Sequence, residues 1–275
     1  FTYADDVQYT RGKHHFSTGV WFQRLRDNEN TGSRQLGVAT FSGIGNMLAG
    51  TVQSFQVIPQ ANALGWRSWY GAWYAQDEIH ILPRLSVQLG LRHEFTSGWN
   101  EVSGRAANYI TDASGALITD PIVGSSIYTK NNMKKLFSPR TSLAWDVFGN
   151  GKTAVRAGYG IYYSMIDALN FLINSLPPAN SSLSFNNQAL LPLLPIVQTA
   201  PPACGPGSKP ACVFAPQGLQ PDAKALAVNE WNLAIEQEIG KGTSLRVAYV
   251  GSFAVHGLLS VDPNTIAPQI CGAAN

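Results

Sequence analysis

The sequence has 275 residues, of which 45% are hydrophobic and 11% aromatic, and its net charge is only +2. Charged residues make up 13% of the chain, about half the roughly 25% that is usual in soluble domains. This composition excludes a disordered chain and a basic nucleic-acid binder, and no segment approaches the ~18 consecutive apolar residues of a membrane helix. A β-rich chain remains, either soluble or built as a membrane barrel.

Alternation of apolar and polar residues predicts eight strands along the chain. The strand at 85–95 shows it best, with Leu89 and Leu91 on one face and Gln88 and Arg92 on the other. The first three strands alternate less cleanly than the later five. The predicted strands lie at about 1–10, 15–25, 67–79, 85–95, 140–147, 155–163, 230–239 and 244–252.

In the five cleanest strands every charged residue falls on one face, and the opposite face carries none. A wall between hydrocarbon and water needs this separation, because a charge at the bilayer midplane costs ~2–4 kcal/mol. A soluble β-sandwich also alternates, with its polar face towards water. Alternation by itself therefore leaves both architectures open.

The connections favour the membrane barrel. Short connections at 11–14, 80–83, 149–151 and 240–242 alternate with long ones at 26–66, 97–137 and 164–226. All short connections then lie at one end of the sheet, as in outer-membrane barrels with short periplasmic turns and long extracellular loops. Loops of this length are uncommon in compact soluble domains. The sequence predicts an all-β, antiparallel transmembrane barrel.

Aromatic residues are placed as two girdles at the edges of an apolar band would require. Trp145 and Phe148 lie beside a short turn, whereas Phe95 and Trp231 lie towards the long loops. The segment 69–74 contains four aromatic residues, and its pattern does not show which of them face lipid.

Several segments resemble the barrel of Oar-like TonB-dependent outer-membrane receptors. The clearest are Phe-Ser-Pro-Arg at 137–140, Ala-Trp-Asp-Val-Phe-Gly-Asn-Gly-Lys-Thr at 144–153 and Val-Arg-Ala-Gly-Tyr-Gly-Ile-Tyr-Tyr at 155–163. The others are Tyr-Ala-Gln-Asp-Glu at 74–78, Leu-Gly-Leu-Arg-His-Glu at 89–94, Arg-Val-Ala-Tyr-Val-Gly-Ser at 246–252 and Val-Asp-Pro-Asn-Thr at 261–265. None of these segments is a catalytic motif.

The resemblance implies a Gram-negative receptor barrel of about 22 strands with a plugged lumen. Residues 1–275 are then a partial barrel domain, a fragment with about eight of those strands. The family's plug, its TonB box and its carboxypeptidase-regulatory-like domain have no counterpart here, so no functional residue is transferred. We expect the eight strands to form an open sheet, because the long loops exceed what a narrow eight-stranded mouth needs.

Little in the sequence indicates catalysis or a bound cofactor. The run Gly-Asn-Gly-Lys-Thr at 149–153 is better explained as a hairpin turn, because the P-loop pattern requires glycine where Asp146 stands. The histidines lack the spacing of a metal site, and no Gly-x-Ser-x-Gly motif is present. We therefore expect no enzyme activity, no cofactor and no metal. The histidines are His14, His15, His80, His93 and His256.

Two of the three cysteines lie close together in a proline-rich segment. Cys204 and Cys212 are predicted to form a disulfide in an oxidising compartment. Cys271 has no evident partner in the sequence.

Charged residues on the polar face are the candidate functional residues. They either pair with one another and with a plug, or contact cargo in transit, and the long loops 97–137 and 164–226 are expected to carry ligand recognition. The predicted lumen-facing residues are Arg92, Glu94, Arg140, Asp146, Arg156, Glu236 and Arg246.

The sequence thus predicts a protein of the cell outer membrane that imports a scarce, bulky nutrient such as a siderophore, glycan or peptide. Its expected partners are outer-membrane lipid, the unidentified ligand and, through the plug, the TonB complex, with no nucleic acid. The alternatives are a passive porin, a small barrel serving as anchor or adhesin, and a soluble β-sandwich with binding loops.

Overall fold

The structure, a computed structural model, describes residues 1–30, 34–59, 62–110, 112, 121–165, 180, 182–198, 213–214, 218–240 and 242–259. Its described residues are mostly antiparallel β-structure. In this part of the chain, no helix has both the length and the apolar character needed to cross a membrane.

Fifteen strands are present in the described residues, with one short α-helix and one 3₁₀-helix. The strands of the main sheet are β1 Thr2–Arg11, β2 His14–Asn30, β5 Ala63–Leu82, β6 Leu85–Thr96, β7 Asn100–Glu101, β10 Leu136–Asp146, β11 Thr153–Ser164, β14 Leu226–Gly240 and β15 Thr243–Val255. The remaining elements are β3 Val38–Thr40, α1 Ile44–Leu48, β4 Thr51–Val57, β8 Ala106–Asn108, β9 Ile122–Gly124, β12 Leu183–Ala189, the 3₁₀-helix Leu191–Gln198 and β13 Val213–Phe214.

The main sheet is an antiparallel meander in the order β1-β2-β5-β6-β10-β11-β14-β15, and β7 pairs with β5. These eight strands are the eight that the alternation pattern predicts, so the predicted fold class is confirmed. Within the described residues β1 and β15 do not pair with each other. The described sheet is therefore open, as expected from the sequence.

Strand register gives the sheet one apolar and one polar face. Leu143, Ala157, Leu233 and Tyr249 form one row across β10, β11, β14 and β15. Such residues are well exposed, Ile235 by 48%, which is what side chains facing hydrocarbon require. We call this face the apolar face, and the opposite one the polar face.

The less regular strands place two carboxylates on the apolar face. Asp77 of β5 lies opposite Leu89, and Asp5 of β1 lies opposite Val20. The Asp77 carboxylate is 2.7 Å from Nδ1 of His14, which partly compensates its position. The absence of charge from the apolar face holds for the five cleanest strands only.

Short turns join β1 to β2, β5 to β6 and β10 to β11, and we call this edge the short-turn end. The predicted turn at 149–151 is confirmed: Gly149 and Gly151 have φ of 71° and 73°. Their backbone N–H groups donate to the Asp146 carboxylate at 2.9 and 2.8 Å. These amides are thus engaged by the chain's own carboxylate, as befits a hairpin rather than a phosphate loop.

A cysteine placed in the turn at Asn150 should resist a membrane-impermeant maleimide applied to whole cells, because short turns face the periplasm in this class of barrel. The control is Val102→Cys in the opposite, long-loop end, where the side chain is exposed and should be labelled. Labelling of each cysteine variant would be measured on the protein that contains these residues. Ready labelling at position 150 in intact cells would reverse the orientation.

The long connections contain more structure than the sequence predicts. Strands β13, β12, β4 and β3 form a second sheet, built from the first and third long connections. Its core is packed by Phe55, Phe185 and Leu183. A second core contains Trp66 and Trp99 together with Tyr128 and Leu219. The sequence pattern did not show this structure, because it is formed by apolar residues that lie far apart in the chain and bury one another.

Candidate functional site

A cavity of about 510 Å³ opens on the polar face, across β5, β6, β10, β11 and β14. Alternation directs every second side chain of these strands into it, and glycines at 90, 158 and 160 leave room. Its principal polar residues are Tyr74, Arg92, Arg140, Tyr162, Glu230 and Asn232.

Arg92 stands between this cavity and an adjoining one of about 550 Å³. Its Nε lies 2.6 Å from Oε1 of Glu94, two positions along the same strand face. Across the sheet, Arg92 lies opposite Tyr74, whose hydroxyl donates to Oδ1 of Asp6 at 2.7 Å. Polar groups of both signs therefore lie where the two cavities adjoin.

Arg140 differs from its neighbours in having an aromatic partner. Its guanidinium lies 4.5 Å from the centre of the Tyr162 ring, a cation–π contact. Among the described residues no carboxylate lies within ion-pair distance of Arg140. Arg140 is thus a cation of the cavity whose charge is available to an anionic group.

Glu236 bridges two arginines nearer the short-turn end. Its carboxylate lies 3.7 Å from Nε of Arg156 and 3.4 Å from Nε of Arg246. Arg246 is directly opposite Glu236 in the β14–β15 register. All three side chains are substantially exposed, so water screens their attraction.

Replacing Glu236 with glutamine is therefore expected to change the free energy of unfolding by less than about 1 kcal/mol, since exposed ion pairs contribute little. The measurement is denaturant unfolding of the protein in lipid vesicles, with Glu238→Gln as control for loss of one carboxylate on the same strand. A loss of several kcal/mol would show that the cluster is a structural necessity.

The seven predicted lumen-facing residues are not brought together into one site. Arg92 pairs with Glu94, and Arg156, Glu236 and Arg246 form a separate cluster. Asp146 instead binds the adjacent turn through both carboxylate oxygens. Within the described ranges, no three His, Cys, Asp or Glu side chains are grouped to hold a metal. The predicted disulfide of Cys204 and Cys212, like Cys271, lies outside the described residues.

Glu101 is a buried residue that sequence reasoning missed. Its carboxylate accepts the backbone N–H groups of Gly65 at 3.0 Å, Ser103 at 2.8 Å and Arg105 at 2.9 Å, with the Arg105 guanidinium 3.5 Å away. Burial alone raises its pKa, but these N–H donors and Arg105 outweigh burial and hold the pKa below its usual value. Glu101 therefore ties the second long connection to β5.

Asn108 joins the second long connection to the third. Its amide donates to the carbonyls of Ile127 at 2.8 Å and Leu219 at 2.6 Å, and its oxygen accepts the N–H of Leu219 at 3.1 Å. Local sequence could not reveal this bond, because Leu219 is 111 positions away. Apolar residues of both connections, such as Ala106 and Leu219, share one core with Leu64 and Trp66 on the polar side of β5.

The antiparallel sheet has an exposed apolar face and a polar face with cavities. Short turns lie at one end and folded connections at the other. These features are typical of the wall of an outer-membrane β-barrel. The chain belongs to the family described as outer membrane beta barrel domain, whose model matches residues 1–275. The protein accordingly resides in the outer membrane. No curated protein and no solved structure matches the chain.

Proposed function

We propose that this wall belongs to a TonB-dependent importer of a scarce, bulky nutrient such as a siderophore, glycan or peptide. The observation that carries the proposal is the packing of folded long connections against the polar side of β5 at the long-loop end. Leu64 and Trp66 are buried in a core with residues of the second and third connections, and the next three polar-face residues of the strand, Ser68, Tyr70 and Ala72, are also buried.

A passive porin depends on an open, water-filled mouth. Here a hydrogen bond from Gly65 of β5 to Glu101 holds the second connection against the wall, and Asn108 joins that connection to the third. Bulky cargo then requires recognition at the mouth and an energy source for passage. The resemblance to Oar-like receptors implies such a source, namely the TonB complex acting through a plug.

The cavity residues fit the inner stages of such transport. Arg140 offers a cation beside the aromatic ring of Tyr162, and Arg92 lies between the two cavities. Guanidinium groups bind carboxylates and phosphates bidentately, and tyrosine rings stack on sugars and aromatic groups. Cargo with anionic and ring-shaped parts suits both residues.

Growth and conductance together test the proposal. Deleting the gene and deleting TonB should impair growth on the same nutrient within a panel of siderophores, glycans and peptides. The purified protein should give little steady conductance in planar bilayers. The proposal would be overturned if the two deletions impaired growth on no nutrient in common. A large, stable conductance would also overturn it and would favour a passive porin.

A further inference from the structure

Three arginines form a cationic cluster on the apolar face at the long-loop end. Arg26 of β2 lies directly opposite Arg67 of β5, and Arg24 lies opposite Trp69. Like charges directly opposite one another on adjacent strands destabilise a sheet. The neighbouring positions on this face hold Asn28 and Gly65, and by alternation Asp27 and Glu29 belong to the polar face. Among the described residues, no neighbouring carboxylate on this face therefore compensates the cluster.

The cluster lies at the depth of lipid head groups. A membrane-spanning strand of a barrel takes about 9–11 residues. β2 begins at His14, which pairs with Ile79 of β5, and about ten residues further along both strands Arg24 pairs with Trp69, near the outer boundary. Arg26 and Arg67 pair with each other two residues beyond Arg24 and Trp69, at the outer edge of the hydrocarbon.

An aromatic platform lies immediately below the arginines on the same face. The rings of Phe22 and Phe95 are 6.2 Å apart, and the His93 ring lies 4.6 Å from Phe137 and 5.8 Å from Trp73. Gly71 makes room for this packing, since a Cβ there would come within 2.2 Å of the Phe95 ring. The platform gives acyl chains a broad apolar surface at the membrane boundary.

The arginines are held towards this boundary but are not neutralised. The Arg24 guanidinium lies 5.0 Å from the centre of the Trp69 ring, and its buried Nε has no hydrogen-bond partner among the described residues. Nη1 of Arg67 donates to Asn28 Oδ1 at 2.9 Å, a neutral partner. The exposed Lys134 and Lys135 immediately precede β10, whose register places Leu136 opposite Glu94. These two lysines therefore lie at about the same depth as the aromatic platform, two strands away from β5 and its Arg67.

We propose that this surface binds the phosphorylated headgroup of an outer-leaflet glycolipid, with the acyl chains packed on the aromatic platform. A phosphate accepts the paired N–H donors of guanidinium groups and removes the repulsion between Arg26 and Arg67. The acyl chains explain why the platform is apolar directly beneath charged groups. The inference depends on the outer-membrane location and on the long-loop end facing outward, and it is independent of import.

The test compares two triple variants of the protein purified from outer membranes in non-ionic detergent. Arg24→Gln, Arg26→Gln and Arg67→Gln together should lower affinity for a hexa-acylated, phosphorylated glycolipid at least tenfold, measured by native mass spectrometry. The control, Arg11→Gln, Lys13→Gln and Arg84→Gln, removes the same charge at the short-turn end and should leave affinity unchanged. The folding of both triple variants would be checked by comparing the gel mobility of heated and unheated samples.

The ligand arms separate lipid from free anion. The dephosphorylated glycolipid should bind the unmodified protein at least tenfold more weakly, and millimolar inorganic phosphate should not displace the phosphorylated form. Equal binding of both glycolipids would overturn the proposal by showing a purely apolar belt. Displacement by inorganic phosphate would overturn it in favour of a small-anion site.

A single variant keeps the proposal testable if the triple variant does not fold. Arg26→Gln removes the repulsion with Arg67, so its melting temperature in lipid-free detergent should equal or exceed that of the unmodified protein. Adding phosphorylated glycolipid should raise the melting temperature of the unmodified protein more than that of the variant. Equal increases, or equal loss of affinity in the control triple variant, would contradict the inference.

Discussion

Replacing Ile235 with arginine is expected to destabilise the folded protein by ~2–4 kcal/mol, the cost of a cation near the bilayer midplane. Ile235 is central in β14, and its neighbours across the sheet on the apolar face are Val155 and Val247. Neither valine offers the arginine a polar partner. The measurement is the free energy of unfolding of the protein, determined at equilibrium in lipid vesicles.

The matched control is Asn232→Arg, three positions away on the polar face, where the exposed side chain lines the cavity. It should cost less than about 1 kcal/mol, a typical surface effect. Leu89→Arg should fall between the two, because Asp77 lies directly opposite residue 89 and can pair with the new cation. Equal losses at 235 and 232 would mean that both faces meet water.

Replacing Glu101 with alanine is expected to loosen the second long connection from β5, at a cost of about 1–3 kcal/mol. The change leaves the buried N–H of Gly65 without its acceptor, which carries most of this cost, and also removes the acceptor of the partly buried N–H groups of Ser103 and Arg105. Hydrogen exchange at these three amides is the direct measurement. The strands β10 and β11 should keep their protection.

Glu101→Gln is the matched control, because it keeps the size of the side chain and one acceptor oxygen. It should cost less than alanine but more than zero, since the charge-assisted bonds weaken. Protection unchanged in both variants would show that Glu101 does not hold the connection.

Acid should weaken the same contact. The folded-state pKa of Glu101 lies below its usual value, so its contribution is fully present above the usual carboxyl pKa and is lost as pH falls through the lower, folded value. Exchange at Gly65, Ser103 and Arg105, corrected for the intrinsic pH dependence, should therefore rise in that acidic window. The alanine variant should not show this additional rise.

Local pattern was sufficient to predict the strands of the main sheet. Alternation at 85–95 places Leu89 and Leu91 on one face whatever the neighbouring strands do, because successive side chains of a strand point to opposite faces. The turn at 149–151 was equally local, since its glycines and Asp146 lie within six residues of one another.

Contacts between distant segments could not be predicted in this way. The segment 69–74 is aromatic on both sides, and only pairing with β2 and β6 shows that Trp69 and Trp73 lie on the apolar face while Tyr70 and Tyr74 lie on the polar face. The position of Asp77 on the apolar face likewise appears only in the register. Each strand's own sequence is compatible with more than one set of neighbours.

The sequence by itself determined an all-β membrane wall, its turn positions and the identity of its charged face, because these depend on periods of two residues and on short turns. Tertiary structure alone decided how the charged side chains pair, how Glu101 and Asn108 hold the long connections, and that arginines face one another above the aromatic platform. Those features depend on register and on burial between residues far apart in the chain, where a small shift replaces every partner.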